Sequence, residues 1–155
     1  MKKITPREMK WINKGNIKSL SYNRFEAKGN DSYFLAISDE DFEFNSSISL
    51  KNRNVSLVVS ITEKTFFSLD LNNEIFITTS FSGYKSKTKI NSSFFETKDF
   101  LKTKLLRELD TFSFFIEDTL IAKATLPAAK DAISFGYYFT NNEYIEVKDI
   151  LYVKK

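Results

Sequence analysis

Apolar residues recur at every second position through much of this chain. Val55, Leu57, Val59 and Ile61 alternate with Ser56, Ser60 and Thr62, interrupted only by Val58, and Ile75, Ile77 and Phe81 share one side of the next run. Successive side chains point to opposite faces of a strand, so this period of two predicts half-buried strands with one face on a core. Turn-forming clusters punctuate the runs at Lys28-Gly29-Asn30-Asp31, Lys51-Asn52-Arg53-Asn54, Leu71-Asn72-Asn73 and Asn141-Asn142, spaced as in a sandwich of short strands. With only four Gly in the chain, Asn must supply many of the positive-φ positions.

The N-terminus departs from this period. Thr5-Pro6-Arg7-Glu8 has the spacing of a capping box with Pro at the first helical position, and Ile4 and Met9 are placed for a hydrophobic staple. These residues predict a short helix from Pro6 to about Lys14, ended by Gly15, with Trp11 as a core or docking residue on it.

One segment supports two readings. Thr97 can cap a helix with Leu101, Leu105 and Leu109 on one stripe, and local propensity favours that helix. Against it, Leu105, Arg107 and Leu109 also alternate, and Asp110-Thr111 turns into Phe112, Phe114 and Ile116, which share one side of a strand. Leu120, Ala122, Ala124 and Leu126 return beyond Glu117-Asp118-Thr119. A three-residue loop there sets Ile116 opposite Leu120 and Phe114 opposite Ala122, keeping the apolar faces together, whereas a two-residue turn would mix them. A similar loop at Asn141-Asn142-Glu143 sets Phe139 against Ile145 and Tyr137 against Val147 inside, with Tyr138 opposite Glu146 outside. If those strands belong to different sheets, this pairing fails. Asp149 falls on the apolar parity of Ile145, Val147, Leu151 and Val153, which points to a bulge or a hydrogen-bonded strand-end carboxylate.

The succession Leu106-Arg107-Glu108, Asp110-Thr111-Phe112-Ser113-Phe114-Phe115-Ile116, Leu120-Ile121-Ala122, a Pro-containing loop, Ile133-Ser134-Phe135-Gly136-Tyr137-Tyr138 and Val147-Lys148-Asp149-Ile150-Leu151-Tyr152-Val153 resembles the C-terminal half of concanavalin A-like, laminin G-like jelly-roll domains. Upstream, Asp41-Phe42-Glu43-Phe44, the run Val55 to Ile61, and Phe66-Phe67-Ser68-Leu69 resemble the earlier core strands, so the likeness spans residues 33 to 153. The chain departs from the pattern at Glu117-Asp118, where that family commonly has Asn-Gly. The resemblance implies an all-β fold, an antiparallel jelly-roll β-sandwich of two sheets packed face to face, one of them often concave. Its members include lectins, carbohydrate-binding modules, glycoside hydrolases and protein-binding domains, so fold alone does not select a function.

Composition narrows the chemistry. At 155 residues the chain reads as a single domain, 1–155, with residues 1–16 as a helical segment packed on it. Cysteine and histidine are absent, which removes disulfides, thiolate chemistry and the side chain most used for proton transfer and metal ligation near neutral pH. No cofactor or metal is expected. Lys2 and Lys3 are followed by Thr5-Pro6-Arg7-Glu8 rather than an apolar run, so no export signal is visible and a cytoplasmic location is expected. The longest uninterrupted apolar run, Tyr33 to Ile37, is far too short for a membrane span. A net charge of +3 does not by itself imply a nucleic-acid partner.

Three groups of residues remain as candidates for chemistry. Asp39, Asp41 and Glu43 share one face if the strand begins there; a solvated turn is the favoured explanation, with calcium ligation and a carboxylate pair of the glycosidase type as the alternatives. Lys85, Lys87 and Lys89 recur every second residue beside Tyr84, a geometry that suits a polyanion but equally protects an edge strand from aggregation. Most of the 16 Phe must fill the core, whereas Tyr84, Tyr138 and Tyr144 sit on polar parities and can offer stacking faces to sugar rings. The candidate ligand-binding residues are therefore Tyr84, Tyr138, Tyr144, Lys85, Lys87 and Lys89, with no catalytic residue assigned. The expected function is non-catalytic, lectin-like glycan binding. The alternative is a protein-interaction module, such as an inhibitor or immunity-like partner.

Overall fold

The structure, a computed structural model, describes residues 2–4, 11–21, 24–49, 54–72, 74–91, 99–127 and 131–155. Among them are β1 (Lys2–Ile4), β2 (Trp11–Ser21), β3 (Arg24–Ser38), β4 (Phe42–Ser49), β5 (Val55–Thr62), β6 (Thr65–Leu71), β7 (Ile75–Phe81), β8 (Tyr84–Ile90), β9 (Phe100–Glu108), β10 (Thr111–Ile116), β11 (Thr119–Thr125) and β12 (Ile133–Lys154). All pairings are antiparallel, and they form two layers that share the long strand β12. The larger layer runs β2-β3-β12-β5-β6-β7-β8, and the smaller runs β11-β10-β9-β4-β12-β1.

Alternation in the sequence becomes alternation in burial. On β4, Phe42, Phe44, Ser46 and Ile48 point inward, and on β10 Phe112, Phe114 and Ile116 do the same. Rings from the two layers meet in the middle: Phe67 of β6 lies 4.6 Å from Phe114 of β10, and Phe44 of β4 lies 4.9 Å from Phe135 of β12. Each such Phe contributes roughly 1.5–3 kcal/mol by leaving water, so the interleaved rings are the main force joining the layers.

Strand β12 passes from one layer to the other. Residues 134–139 lie between β3 and β5, whereas residues 147–154 pair with β4. The changeover is marked by Asp149, whose φ of 53° accompanies a register shift between Lys148 and Leu151. The bulge turns Asp149 outward and makes Ile150 and Tyr152 the next inward residues, which resolves the parity conflict at this carboxylate.

Several local expectations are corrected. Residues 11–14 are part of β2, paired with β3, so Trp11 is on a strand and the expected helix does not extend over them; its first part, residues 6–10, lies outside the described residues. Pairing with β3 outweighs the local helical signal there, and Gly15 sits at the register shift between Lys14 and Asn16. Leu101 and Leu105 belong to strand β9, which settles the helix-or-strand choice. No hairpin forms at Asn141-Asn142-Glu143. Both flanking segments pair with the same strand β3, and the extra residues form an irregularity between Asn141, opposite Gly29, and Ile145, opposite Ala27. The cluster Lys28-Gly29-Asn30-Asp31 is therefore inside a strand too, while Leu71-Asn72 does close β6.

The hairpin β10-β11 combines the two alternatives. Glu117 and Asp118, with φ of 49° and 65°, form a two-residue turn, so Ile116 faces Thr119 rather than Leu120. A bulge between Phe114 and Phe115 then restores Phe114 opposite Ala122, as expected. Arg107 of β9 ties one end of the sandwich together. Its buried guanidinium donates to the carbonyls of Leu109 (2.8 Å) and Asp131 (2.9 Å), in two separate connections, and of Ser38 (3.2 Å), at the end of β3.

Candidate functional site

The outward face of the larger layer is ordered by strand register into three rows that cross its strands. One row is Tyr33, Tyr138, Ser56, Asp70, Phe76 and Lys89; the next is Leu35, Gly136, Val58, Ser68, Thr78 and Lys87; the third is Ile37, Ser134, Ser60, Phe66, Ser80 and Lys85. Directly opposite residues point to the same face, so these side chains share one surface away from the core. A trough of about 460 Å³ lies on it, lined by Tyr33, Leu35, Ser56, Val58, Ser60, Glu63, Phe66, Ser68, Asp70, Ser134 and Tyr138. That volume suits a small ligand or a few sugar units.

Each part of the trough follows from local structure. At one end the rings of Tyr33 and Tyr138 lie 5.8 Å apart, tilted by 33°, because β3 and β12 set these two residues side by side. Gly136 leaves the middle row open. Its φ is +147°, and a Cβ built there would lie 2.2 Å from the carbonyl oxygen of Phe34 on β3, so no larger residue fits the close approach of the two strands. On β6, Asp70 stands between the core residues Leu69 and Leu71 and therefore points outward. Ser56 and Ser68 donate to its Oδ1 at 2.7 and 3.0 Å, and Thr78 donates to Oδ2 at 2.6 Å. The carboxylate is thereby held in a fixed place, while each hydroxyl keeps capacity to accept a further hydrogen bond.

The sequence candidates separate in space. Tyr138 lies in the trough; its partners across the strands are Tyr33 and Ser56, not Glu146 as expected from the sequence. Lys85, Lys87 and Lys89 end the three rows on β8, which among the described residues pairs only with β7 and so forms the edge of the layer. Lys89 pairs with Glu74 at 3.0 Å, whereas the Lys87 Nζ lies 4.4 Å above the ring of Phe76 and the Lys85 Nζ 5.9 Å above that of Phe66. Tyr84 is 85% exposed beside the Ser82-Gly83 turn and sits on the opposite parity from the lysines, apart from Tyr138. Tyr144 is in β12, but its side chain lies outside the described residues.

The acidic cluster does not form one strand face, because β3 ends at Ser38 and β4 begins at Phe42, leaving Asp39 and Asp41 in the connection. Its carboxylates brace this connection. Asp41 Oδ1 accepts from the backbone N–H of Leu109 at 2.8 Å, Glu40 Oε1 accepts from the Tyr152 hydroxyl at 2.6 Å, and Glu43 faces Lys104 at 3.7 Å. Burial, reinforced by the Glu40 hydrogen bond, pushes the Tyr152 phenol well above its ordinary range. Tyr137, on the inward face, is pushed up further by complete burial. The Ser46 hydroxyl opposes the shift, although no hydrogen bond of normal geometry reaches the Tyr137 hydroxyl. Among the described residues, no three acidic side chains gather as a metal-ion site.

Sequence reasoning missed Tyr33 and Asp70. Tyr33 sits inside the apolar run Tyr33 to Ile37, where the outward residues Tyr33, Leu35 and Ile37 are as apolar as their neighbours and give no alternation to read. Asp70 carried a usable signal, a polar residue alternating with Leu69 and Leu71.

No protein-family model matches the sequence, and no curated protein matches it. Solved structures do share its fold. A functionally unknown protein from Saccharomyces cerevisiae superposes with a TM-score of 0.76 at 8% identity, covering 95% of this chain and 96% of the other. A carbohydrate-binding module from Bacillus subtilis gives 0.55 at 17% identity (92% and 90% covered) and a β-glucanase from Bacillus licheniformis gives 0.63 at 9% (94% and 92% covered). At these identities the likeness is one of fold: the chain is an all-β sandwich of two antiparallel layers, as its pairing shows.

Proposed function

We propose that this protein is a non-catalytic glycan-binding module with concanavalin A-like, jelly-roll connectivity, and that the glycan lies in the trough on the outward face of the larger layer. The observation that carries this reading is the combination of the Tyr33-Tyr138 pair at one end with a floor of Ser56, Ser68, Asp70 and Ser134. A pyranose ring has an apolar face of C–H groups and an equatorial rim of hydroxyls. The first stacks on an aromatic ring, and the hydroxyls of the second can donate to the Asp70 carboxylate and to the oxygens of Ser56 and Ser68, whose own O–H groups are held by Asp70. A preformed trough with few rotamers left to fix keeps the entropic cost of binding low.

The absence of catalysis in this reading rests on Asp70, since its carboxylate is engaged by three hydroxyls and works as an acceptor for sugar hydroxyls. Screening labelled protein on a glycan array tests the proposal. Selective binding to a set of related glycans, lost in Tyr138→Ala at unchanged melting temperature, is the expected result; an array without signal for the folded wild type overturns it.

A further inference from the structure

The rows that form the trough do not end neutrally. Each terminates on a lysine of β8, and two of these lysines, although exposed, hold their ammonium groups over rings of this face. Lys85 is the more telling, because the ring beneath its ammonium group, Phe66, is itself a wall of the trough. The trough therefore has an aromatic end at Tyr33 and Tyr138 and a cationic rim at Lys85 and Lys87. Lys89 is engaged by Glu74, so the positive charge available to a ligand is concentrated on those two residues at the rim, while the lining itself carries the carboxylates of Glu63 and of Asp70, the latter held by three hydroxyls. From Tyr138 to Phe66 the register counts two strands across and four residues along, a diagonal of roughly 16 Å, or about three sugar units.

We propose that the ligand of this trough is an anionic polysaccharide, bound with one sugar ring on Tyr33 and Tyr138 and a carboxylate or sulfate group of a nearby unit at Lys85 and Lys87. This deepens the glycan reading and rests on it. An edge strand can be protected by lysines pointing anywhere outward; here they share a face, and in the case of Lys85 a ring, with a site built for hydroxyl groups. The contacts with Phe76 and Phe66, weak at an exposed site, favour positions of the ammonium groups above this face.

The test uses isothermal titration of the full chain with three oligosaccharides of equal length: an oligogalacturonate, which carries carboxylates only, a κ-carrageenan fragment, which carries sulfates only, and a neutral mannan fragment. The wild type is expected to bind one of the two acidic probes at least about tenfold more tightly than the neutral one, and more weakly as salt rises from about 50 to about 300 mM. Preference for the first probe assigns the anion as a carboxylate, preference for the second as a sulfate. Lys85→Gln/Lys87→Gln is expected to erase that preference, with Tyr138→Ala losing all three probes and both variants melting as the wild type does. If the neutral probe binds as well as the acidic ones and the double variant is unchanged, the anionic assignment is wrong while glycan binding stands. If no probe binds, both readings fail. Acidic binding that survives Tyr138→Ala, or is matched by single-stranded DNA, would show a nonspecific cationic edge and overturn the inference.

Discussion

Replacing Gly136 with Ala separates two reasons a strand needs glycine. The new Cβ would lie 2.2 Å from the Phe34 carbonyl oxygen, so β3 and β12 must part by about 1 Å to reach an ordinary contact. Strand β3 is held on its other side by β2, so the movement is resisted rather than absorbed. Lengthening two ladder hydrogen bonds by that amount costs about 1 kcal/mol each, and an Ala at φ +147° adds about 1–3 kcal/mol of backbone strain. The sum, about 3–5 kcal/mol, corresponds to a fall in melting temperature of roughly 10–15 °C for a chain of 155 residues. Gly83 supplies the control. It also has positive φ, +92°, but nothing lies within 4 Å of its Cβ position, so Gly83→Ala is expected to cost only about 1 kcal/mol. Urea denaturation of both variants gives the comparison. Equal costs at the two sites would refute the close approach of β3 and β12 that leaves the trough floor open.

Other consequences of the packing are open to measurement. Arg107→Met leaves the carbonyls of Leu109, Ser38 and Asp131 without these donors, and a loss of about 3–5 kcal/mol in chemical denaturation is expected; a loss under 1 kcal/mol would contradict its structural role. Tyr137→Phe removes a buried hydroxyl without a partner and is expected to be neutral or to stabilise by about 1 kcal/mol, whereas Tyr152→Phe loses hydrogen bonds to Glu40 and Ser38 and costs about 1–2 kcal/mol. Both phenols have folded-state pKa values raised above their unfolded values. The stability they confer is therefore complete below the ordinary tyrosine value near 10 and is lost as pH rises beyond it. Thermal melts across that range should show falling stability, less steeply in Tyr137→Phe/Tyr152→Phe; identical profiles would count against buried, neutral phenols.

Much of the sandwich was legible because one-sided strands advertise themselves. Val55 to Val59, Phe112 to Ile116 and the β9 residues Leu105 and Arg107 carry a period of two that survives in their burial, whereas Leu109, on the same parity in the sequence, lies exposed in the turn after β9. What misled was local chemistry overridden by pairing. The capping signal at Thr5-Pro6-Arg7-Glu8 precedes residues that β3 recruits into a strand, and Asn141-Asn142, a sound turn signal, became an irregularity inside β12. The site was legible in halves. Parity identified Tyr138 and the lysine row as outward, but whether they share a face depends on the order β12-β5-β6-β7-β8, which no local pattern encodes. Tyr84 illustrates the limit: it neighbours Lys85 in the chain, yet parity sends it to the opposite side.

The trough itself is tested most directly by titrating a glycan selected on the array into isotopically labelled protein and following backbone amide shifts. Changes should concentrate on Tyr33, Ser56, Asp70, Ser134 and Tyr138, with little response from β9, β10 and β11 in the other layer. Shifts centred on that other layer, or on the exposed hairpin at Tyr84, would contradict the assignment of the outward face of the larger layer as the binding surface.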